Sequence, residues 1–239
     1  FGVPVVFSVA TFFYIILLLM TVFDFNIDFS KAQPHLAHKH NHQVMEKRAN
    51  PLTSKLIFSI CMMVFCVYLS YTLWESVMPV HMESLNISFE NYSYIWPING
   101  LLIVFVQPII NRIGRHFKMV NQVTFGILVF ALTFFMLIFA KQYVSFIIIM
   151  IILTFGEMNG IPSIPAWIDN LADEKQKGRY QGMFNIFMSF GRAVGPLFGG
   201  ILVEWLNYGF LFGISGLLII TSLLYVLWEN RKFEKYEQS

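Results

Sequence analysis

The chain has 239 residues, of which 56% are hydrophobic and 13% charged, with a net charge of +2 and a mean hydropathy of +0.63. A soluble domain carries about a quarter charged residues, so this composition excludes an ordinary soluble enzyme and calls for a lipid bilayer. The small net charge gives no basis for a nucleic-acid partner.

Seven apolar runs follow in order, at about 3–23, 56–80, 93–110, 120–140, 143–168, 183–203 and 208–228. Each is near the roughly 20 residues that a bilayer crossing needs. Hydrocarbon offers backbone groups no water, so each is read as a transmembrane helix, and the fold class is an all-α integral membrane protein. The first run begins almost at Phe1, with no Met, no basic leader and no A-x-A site. It is therefore not a signal peptide, and the chain is expected to be a fragment lacking its own N-terminus.

Residues 24–55 form the one long polar link, with His35, His38, His40 and His42. A metal-sensing tract is one reading; a mobile, solvated cytoplasmic linker is the simpler one. The second run holds Cys61 and Cys66, five apart and poorly placed to share a helix face, so neither a disulfide nor a metal site is expected. Glu75 lies beside Trp74 near the outer interface, where a hydrated carboxylate is the default. The loop 81–92 contains two N-x-S sequons, at Asn86 and Asn91.

The third run is interrupted by Pro97, Asn99, Gly100, Gln107 and Pro108. Broken or polar membrane helices line a cavity or pack through their amides. Asn99 and Gln107, eight apart and roughly on one face, are candidate substrate contacts. The fourth run is uniformly apolar.

The fifth run carries Glu157 and Asn159 within Gly156-Glu157-Met158-Asn159-Gly160-Ile161-Pro162, with Pro165 beyond. An ionisable group inside a span is costly and is a site candidate by default. Glu157 lies about 21 Å from the outer end of a core roughly 30 Å thick. Arg192, in the sixth run, reaches about 16 Å from the inner end. An ion pair between Glu157 and Arg192 would lower the cost of burying both, as a gate, a coupling site or a structural bridge.

The sixth run spaces Gly182, Gly191, Gly195, Pro196, Gly199 and Gly200 as G-x8-G-x3-G-P-x2-G-G. Glycines 191, 195 and 199 share one helix face, which suits close approach of another helix. The seventh run has Gly209, Gly213 and Gly216, read as packing.

All Lys and Arg residues except Lys141 and Arg192 fall in 31–55, 111–119, 171–180 and 231–239. By the positive-inside rule these segments are cytoplasmic. The five tryptophans sit near segment ends, as an aromatic belt requires.

The glycine spacing is the antiporter motif of the major facilitator superfamily, which this chain resembles. Asn111-Arg112-Ile113-Gly114-Arg115-His116 resembles that family's cytoplasmic loop signature, G-x3-D-R-x-G-R-R. Arg112, Gly114 and Arg115 match it, whereas Gln107, Asn111 and His116 depart from it. The two motifs occupy the family's positions within a six-helix half. The resemblance, which is to the C-terminal half of bacterial drug:proton antiporters, implies a six-helix half-bundle plus one preceding transmembrane helix. Residues 1–23 would be the last helix of an N-terminal half and 24–55 the central loop. Residues 56–230 would be the C-terminal half and 231–239 a cytoplasmic tail. It implies a secondary transporter of the cell membrane, exporting small amphipathic compounds with proton coupling and needing the missing N-terminal half.

A seven-helix receptor has the same segment count, but the last run lacks a Schiff-base Lys and Asn-Pro-x-x-Tyr. A non-transporting remnant is a further alternative. No nucleophile–base set or phosphate loop is present, so neither an enzyme nor a cofactor is expected.

Overall fold

The computed structural model describes residues 3–24 and 51–237. The helices among them are α1 (Val3–Asp24), α2 (Pro51–Tyr71), α3 (Leu73–Ser76), α4 (Met78–Ser84), α5 (Phe89–Gly114), α6 (Met119–Leu137), α7 (Tyr143–Gly160), α8 (Ser163–Leu171), α9 (Lys177–Trp205) and α10 (Tyr208–Glu237). Six stretches are long and apolar enough to span a bilayer: Pro51–Ser76, Phe89–Gly114, Met119–Leu137, Tyr143–Leu171, Lys177–Trp205 and Tyr208–Tyr236. The helix α1 adds a shorter apolar stretch, Thr11–Val22. The chain divides into two units, Phe1–Arg48 and Ala49–Ser239. In the first, α1 turns its Thr21 hydroxyl back onto the Leu17 carbonyl, 2.8 Å away.

Several segment ends differ from the sequence reading. The link 24–55 is shorter, because Asp24 ends α1 and residues 51–55 open α2. Pro51 stands at the first helical position, where a missing N–H costs nothing and φ is already set. Residues 25–50, with the four histidines, lie outside the described residues. The tail also differs, since α10 continues to Glu237. Asn230 Nδ2 donates to Glu234 Oε1 at 3.0 Å, and Lys232 pairs with Glu229 at 3.2 Å. Such (i, i+4) and (i, i+3) contacts support a helix beyond its apolar part.

Prolines act unequally. The helix α5 runs unbroken for 26 residues through Pro97 and Pro108, contrary to the interruption expected there. Each proline removes one donor, and hydrocarbon leaves the other backbone groups no better partner than the helix. The fifth run does divide. Pro162 and Pro165, three apart, deny donors to the Met158 and Ile161 carbonyls. The Ile161 carbonyl instead accepts from Ile164 N at 3.2 Å, in a tight turn between α7 and α8. The second run ends in the short pieces α3 and α4, with Pro79 near the start of α4.

Beyond α4 the chain reverses at Asn86, which has φ 61°. Asn86 N donates to Glu83 O and Ile87 N to Met82 O, both at 2.9 Å. This paired cap needs a residue that tolerates the left-handed region, and Asn is the usual choice after Gly. Ser88 then caps α5 by accepting from Asn91 N at 3.3 Å.

In the second unit α2 packs against α9 and α10, α6 against α7 and α10, and α5 against α7. Buried hydroxyls bond to carbonyls of their own helices, as Ser70 does to Cys66 and Thr133 to Phe130, which meets the bilayer's demand for internal partners.

Two crossings are backbone-close. A Cβ on Gly191 would meet Phe65 O at 2.6 Å. One on Gly195 would strike Thr72 Oγ1 and come within 2.6 Å of Leu69 O. One on Gly199 would meet the Leu73 and Val77 side chains at 2.6 Å. All three therefore seat α9 on the α2–α3 segment. The second crossing joins α6 to α7: a Cβ on Gly126 would strike Gly160, and one on Gly156 would meet Gly126 O at 2.8 Å. Gly156 and Gly160 repeat the four-residue spacing outside the six-residue glycine motif.

The tryptophan belt is only partial. Trp74 and Trp167 lie in the core, whereas Trp205 and Trp228 are exposed. Position near a helix end does not decide the facing of a side chain. Cys61 and Cys66 are free thiols, and Cys61 is buried.

Candidate functional site

Glu157 lies one turn before the α7–α8 break and is half-buried. Asn99 on α5 donates through Nδ2 to Thr154 Oγ1 at 2.9 Å and to Glu157 Oε2 at 3.3 Å. The Tyr71 hydroxyl at the end of α2 donates to Glu157 Oε1 at 3.5 Å. Thr154 Oγ1 in turn donates to Met150 O at 2.7 Å. The carboxylate is thus held by neutral donors from two other helices. Among the described residues it makes no ion pair within 4 Å.

Arg192 is not paired with Glu157. Its guanidinium lies 4.9 Å from the Tyr68 ring centre. Tyr68 and Tyr71 are themselves neighbours, with ring centres 6.2 Å apart. Contacts run from Arg192 to Tyr68, from Tyr68 to Tyr71 and from Tyr71 to Glu157, while the two charges that depth alone brings together form no ion pair within 4 Å. Depth along two helices fixes only one coordinate, and the ring positions were not readable from spacing. Tyr68, Tyr71 and Thr154 are the site residues that the sequence reading missed. A hydroxyl one turn before Glu157 and two tyrosines three apart were the available signals.

The other polar candidates are used locally. Gln107 Nε2 donates to Met158 O at 3.0 Å and to Asn111 Oδ1 at 2.7 Å. Met158 O is the carbonyl that Pro162 leaves without its helical donor, so Gln107 repairs the break. Asn159 Nδ2 donates to Phe155 O of its own helix at 2.8 Å.

Asn111, Arg112 and Gly114 belong to the last turns of α5, and Arg115 follows as its cap. A Cβ on Gly114 would meet Gln122 Oε1 at 2.6 Å. Gln122 Nε2 donates to Gly114 O at 2.8 Å and Phe117 O at 3.0 Å. Its Oε1 accepts from Ser163 Oγ at 3.2 Å. Gln122 therefore ties the α5–α6 turn to the α7–α8 break, which explains Gly114 sterically. Beside it, a cavity of about 520 Å³ opens among α5, α6 and α7, with Asn159 in its wall. Gly182 and Gly200 have open space around them, so the six-residue motif divides into a packed part and a free part.

The spans differ greatly in cover. The apolar 18-residue stretch of Pro51–Ser76 is 78% buried within the chain, but that of α5 only 11% and that of α9 only 17%. The open side of α9 carries Asn185, Ser189 and Arg192, all exposed. These lie at i, i+4 and i+7 and so form one polar stripe. Hydrocarbon does not accept such a stripe. Among the described residues no group of three or more His, Cys, Asp or Glu is placed to hold a metal ion.

The model of the Major Facilitator Superfamily matches residues 1–185 and 60–238. The chain belongs to the Major Facilitator Superfamily. It is 36% identical over 166 residues to the MFS-type transporter YttB of Bacillus subtilis (strain 168), covering 66% of this chain and 41% of YttB. The proton-coupled antiporter flippase LtaA of Staphylococcus aureus (strain MSSA476) is 30% identical over 133 residues, covering 52% of this chain and 32% of LtaA. The multidrug efflux pump SdrM of Staphylococcus aureus (strain N315) is 22% identical over 173 residues, covering 72% and 38%. A crystal structure of a POT family transporter superposes with a TM-score of 0.65 at 13% identity, covering 96% of this chain and 54% of that one. The chain thus spans less than half the length of these curated relatives. The fold is that of the superfamily's membrane transporters, and the seven-helix receptor alternative falls away.

Proposed function

We propose that this chain is the C-terminal half, with one preceding helix, of a secondary transporter that exports small amphipathic compounds in exchange for protons. The helix ending at Asp24 closes the first half, the residues between it and Pro51 link the halves, and the helices from Pro51 to Glu237 form the second half with its C-terminal end in the cytoplasm. The observation that carries the reading is Glu157. A carboxylate inside a span, bonded among the described residues to the neutral Asn99 and Tyr71, can gain or lose a proton without breaking an ion pair. Burial makes each state sensitive to what surrounds it, which is how proton and substrate come to compete. Arg192 lies against Tyr68, with its guanidinium 4.9 Å from the centre of that ring. Transporters of this build place substrate between two halves near the midplane. The uncovered α5 and α9, with the Asn185–Ser189–Arg192 stripe, are the surface on which a first half would close. The efflux pump and proton-coupled antiporter among the relatives support export and proton coupling. The basic links support a cytoplasmic C-terminus in a multi-pass protein of the cell membrane.

The test uses the full-length protein in sealed vesicles with a fluorescent amphipathic cation. Wild type should move the dye when a pH gradient is imposed. Glu157→Gln should lose pH-driven movement while keeping dye exchange between the two sides. Full pH-driven movement by Glu157→Gln, at equal protein content, would overturn the proposal.

A further inference from the structure

None of Tyr71, Asn99, Thr154 and Glu157 lines the cavity of about 520 Å³ among α5, α6 and α7. Its wall is apolar at Ile110, Ile113, Phe125 and Phe155, with Asn121 and Asn159 as polar points. Phe125 and Phe155 are exposed aromatics on spans, so the cavity has an open aromatic wall. It lies at the end of the α5 span, and the α5–α6 turn forms its rim. That turn, with the last turn of α5, carries Arg112, Arg115 and Lys118, all exposed. Among the described residues none of the three has an acidic partner within 4 Å; the neighbouring α8 carboxylate Asp169 is taken by Lys177 at 3.4 Å. Gln122 fixes the turn by three hydrogen bonds, so the rim is a built feature.

We infer that this groove is a binding site for one anionic phospholipid of the adjoining leaflet. Its phosphate would sit on Arg112, Arg115 and Lys118, and its acyl chain would lie against Phe125 and Phe155. The occupant follows from complementarity. Exposed basic residues on the turn whose Gly114 and Phe117 line the groove, together with its aromatic wall, match the two ends of a lipid, and anionic headgroups are drawn to basic groups at a membrane surface. An amphipathic cation would be repelled by the rim, and an inorganic anion would leave the aromatic wall bare. The site needs only the membrane embedding of the chain and does not rest on the transport reading.

Native mass spectrometry of the full-length protein, equilibrated in mixed micelles with equal dioleoyl phosphatidylglycerol and dioleoyl phosphatidylcholine, reads the preference directly. Wild type should retain one phosphatidylglycerol in preference to phosphatidylcholine. The double change Arg115→Gln with Lys118→Gln should lower that preference roughly tenfold or more, since each basic group near the surface contributes to headgroup attraction. Ile113→Trp, which fills the groove, should reduce retention of both lipids. The control Arg231→Gln with Lys235→Gln, on α10, should leave the preference unchanged. An unchanged preference in the Arg115/Lys118 variant overturns the inference, as does a loss that the control pair reproduces.

Discussion

At the scale of single residues, His81 shows how a polar group is tolerated at one end of the bundle. It is 9% exposed on α4, with its ring 4.1 Å from that of Tyr208 and 5.5 Å from that of Phe212. Its Nδ1 is buried without a partner. Burial lowers its pKa from the ordinary 6.5, so the folded protein favours the neutral ring. The unfolded chain then takes up protons first as pH falls. Stability contributed here is full above about pH 6.5 and declines as pH falls from there toward the folded pKa. Thermal unfolding followed between pH 8 and pH 5 should show this loss in wild type. His81→Phe should flatten the part of the profile that begins near pH 6.5, and an unaltered profile would show that the ring is not a titrating element. Of the site itself, Glu157 and Asn99 were legible because charge and amide inside an apolar run stand out. Tyr68 and Tyr71 were not, because aromatics are abundant in this chain and only packing shows which of them meet a carboxylate.

At the scale of helices, the six-residue glycine motif makes a graded prediction. Gly195→Ala would force a methyl into Thr72 and the Leu69 carbonyl, and overpacking of this kind costs about 1–3 kcal/mol. Gly182→Ala and Gly200→Ala meet open space within this chain, and replacing a helical Gly gains up to about 1 kcal/mol. Melting of the purified variants in detergent should therefore fall for Gly195→Ala and hold or rise for the other two. Equal losses at all three positions would mean that the α9 contact is not the backbone crossing described. Gly126→Ala should behave like Gly195→Ala, because its methyl would strike Gly160. Helix positions were legible from hydropathy, since the bilayer dictates length and composition together. Helix ends were less so: Pro162 with Pro165 ended a helix, whereas Pro97 and Pro108 did not. The difference lies in spacing and in whether a neighbour such as Gln107 is placed to take up the freed carbonyl.

At the scale of the whole molecule, the bundle is asymmetric in its cover. The core segment α2–α3 is enclosed by α9 and α10, while α5 and α9 leave long faces open. One of these faces bears the polar stripe Asn185, Ser189 and Arg192, and we propose that it lines an aqueous path between two halves and does not face lipid. The most direct measurement is thiol labelling of the full-length protein with Cys61 and Cys66 replaced by Ala and a single cysteine introduced as Ser189→Cys. A membrane-impermeant maleimide, applied to sealed vesicles of either orientation, should react with Cys at this position from at least one aqueous side. The rate should change when a pH gradient or an amphipathic dye is added. Absence of reaction from both sides, with labelling intact in denatured protein, would place the stripe away from water and contradict the account.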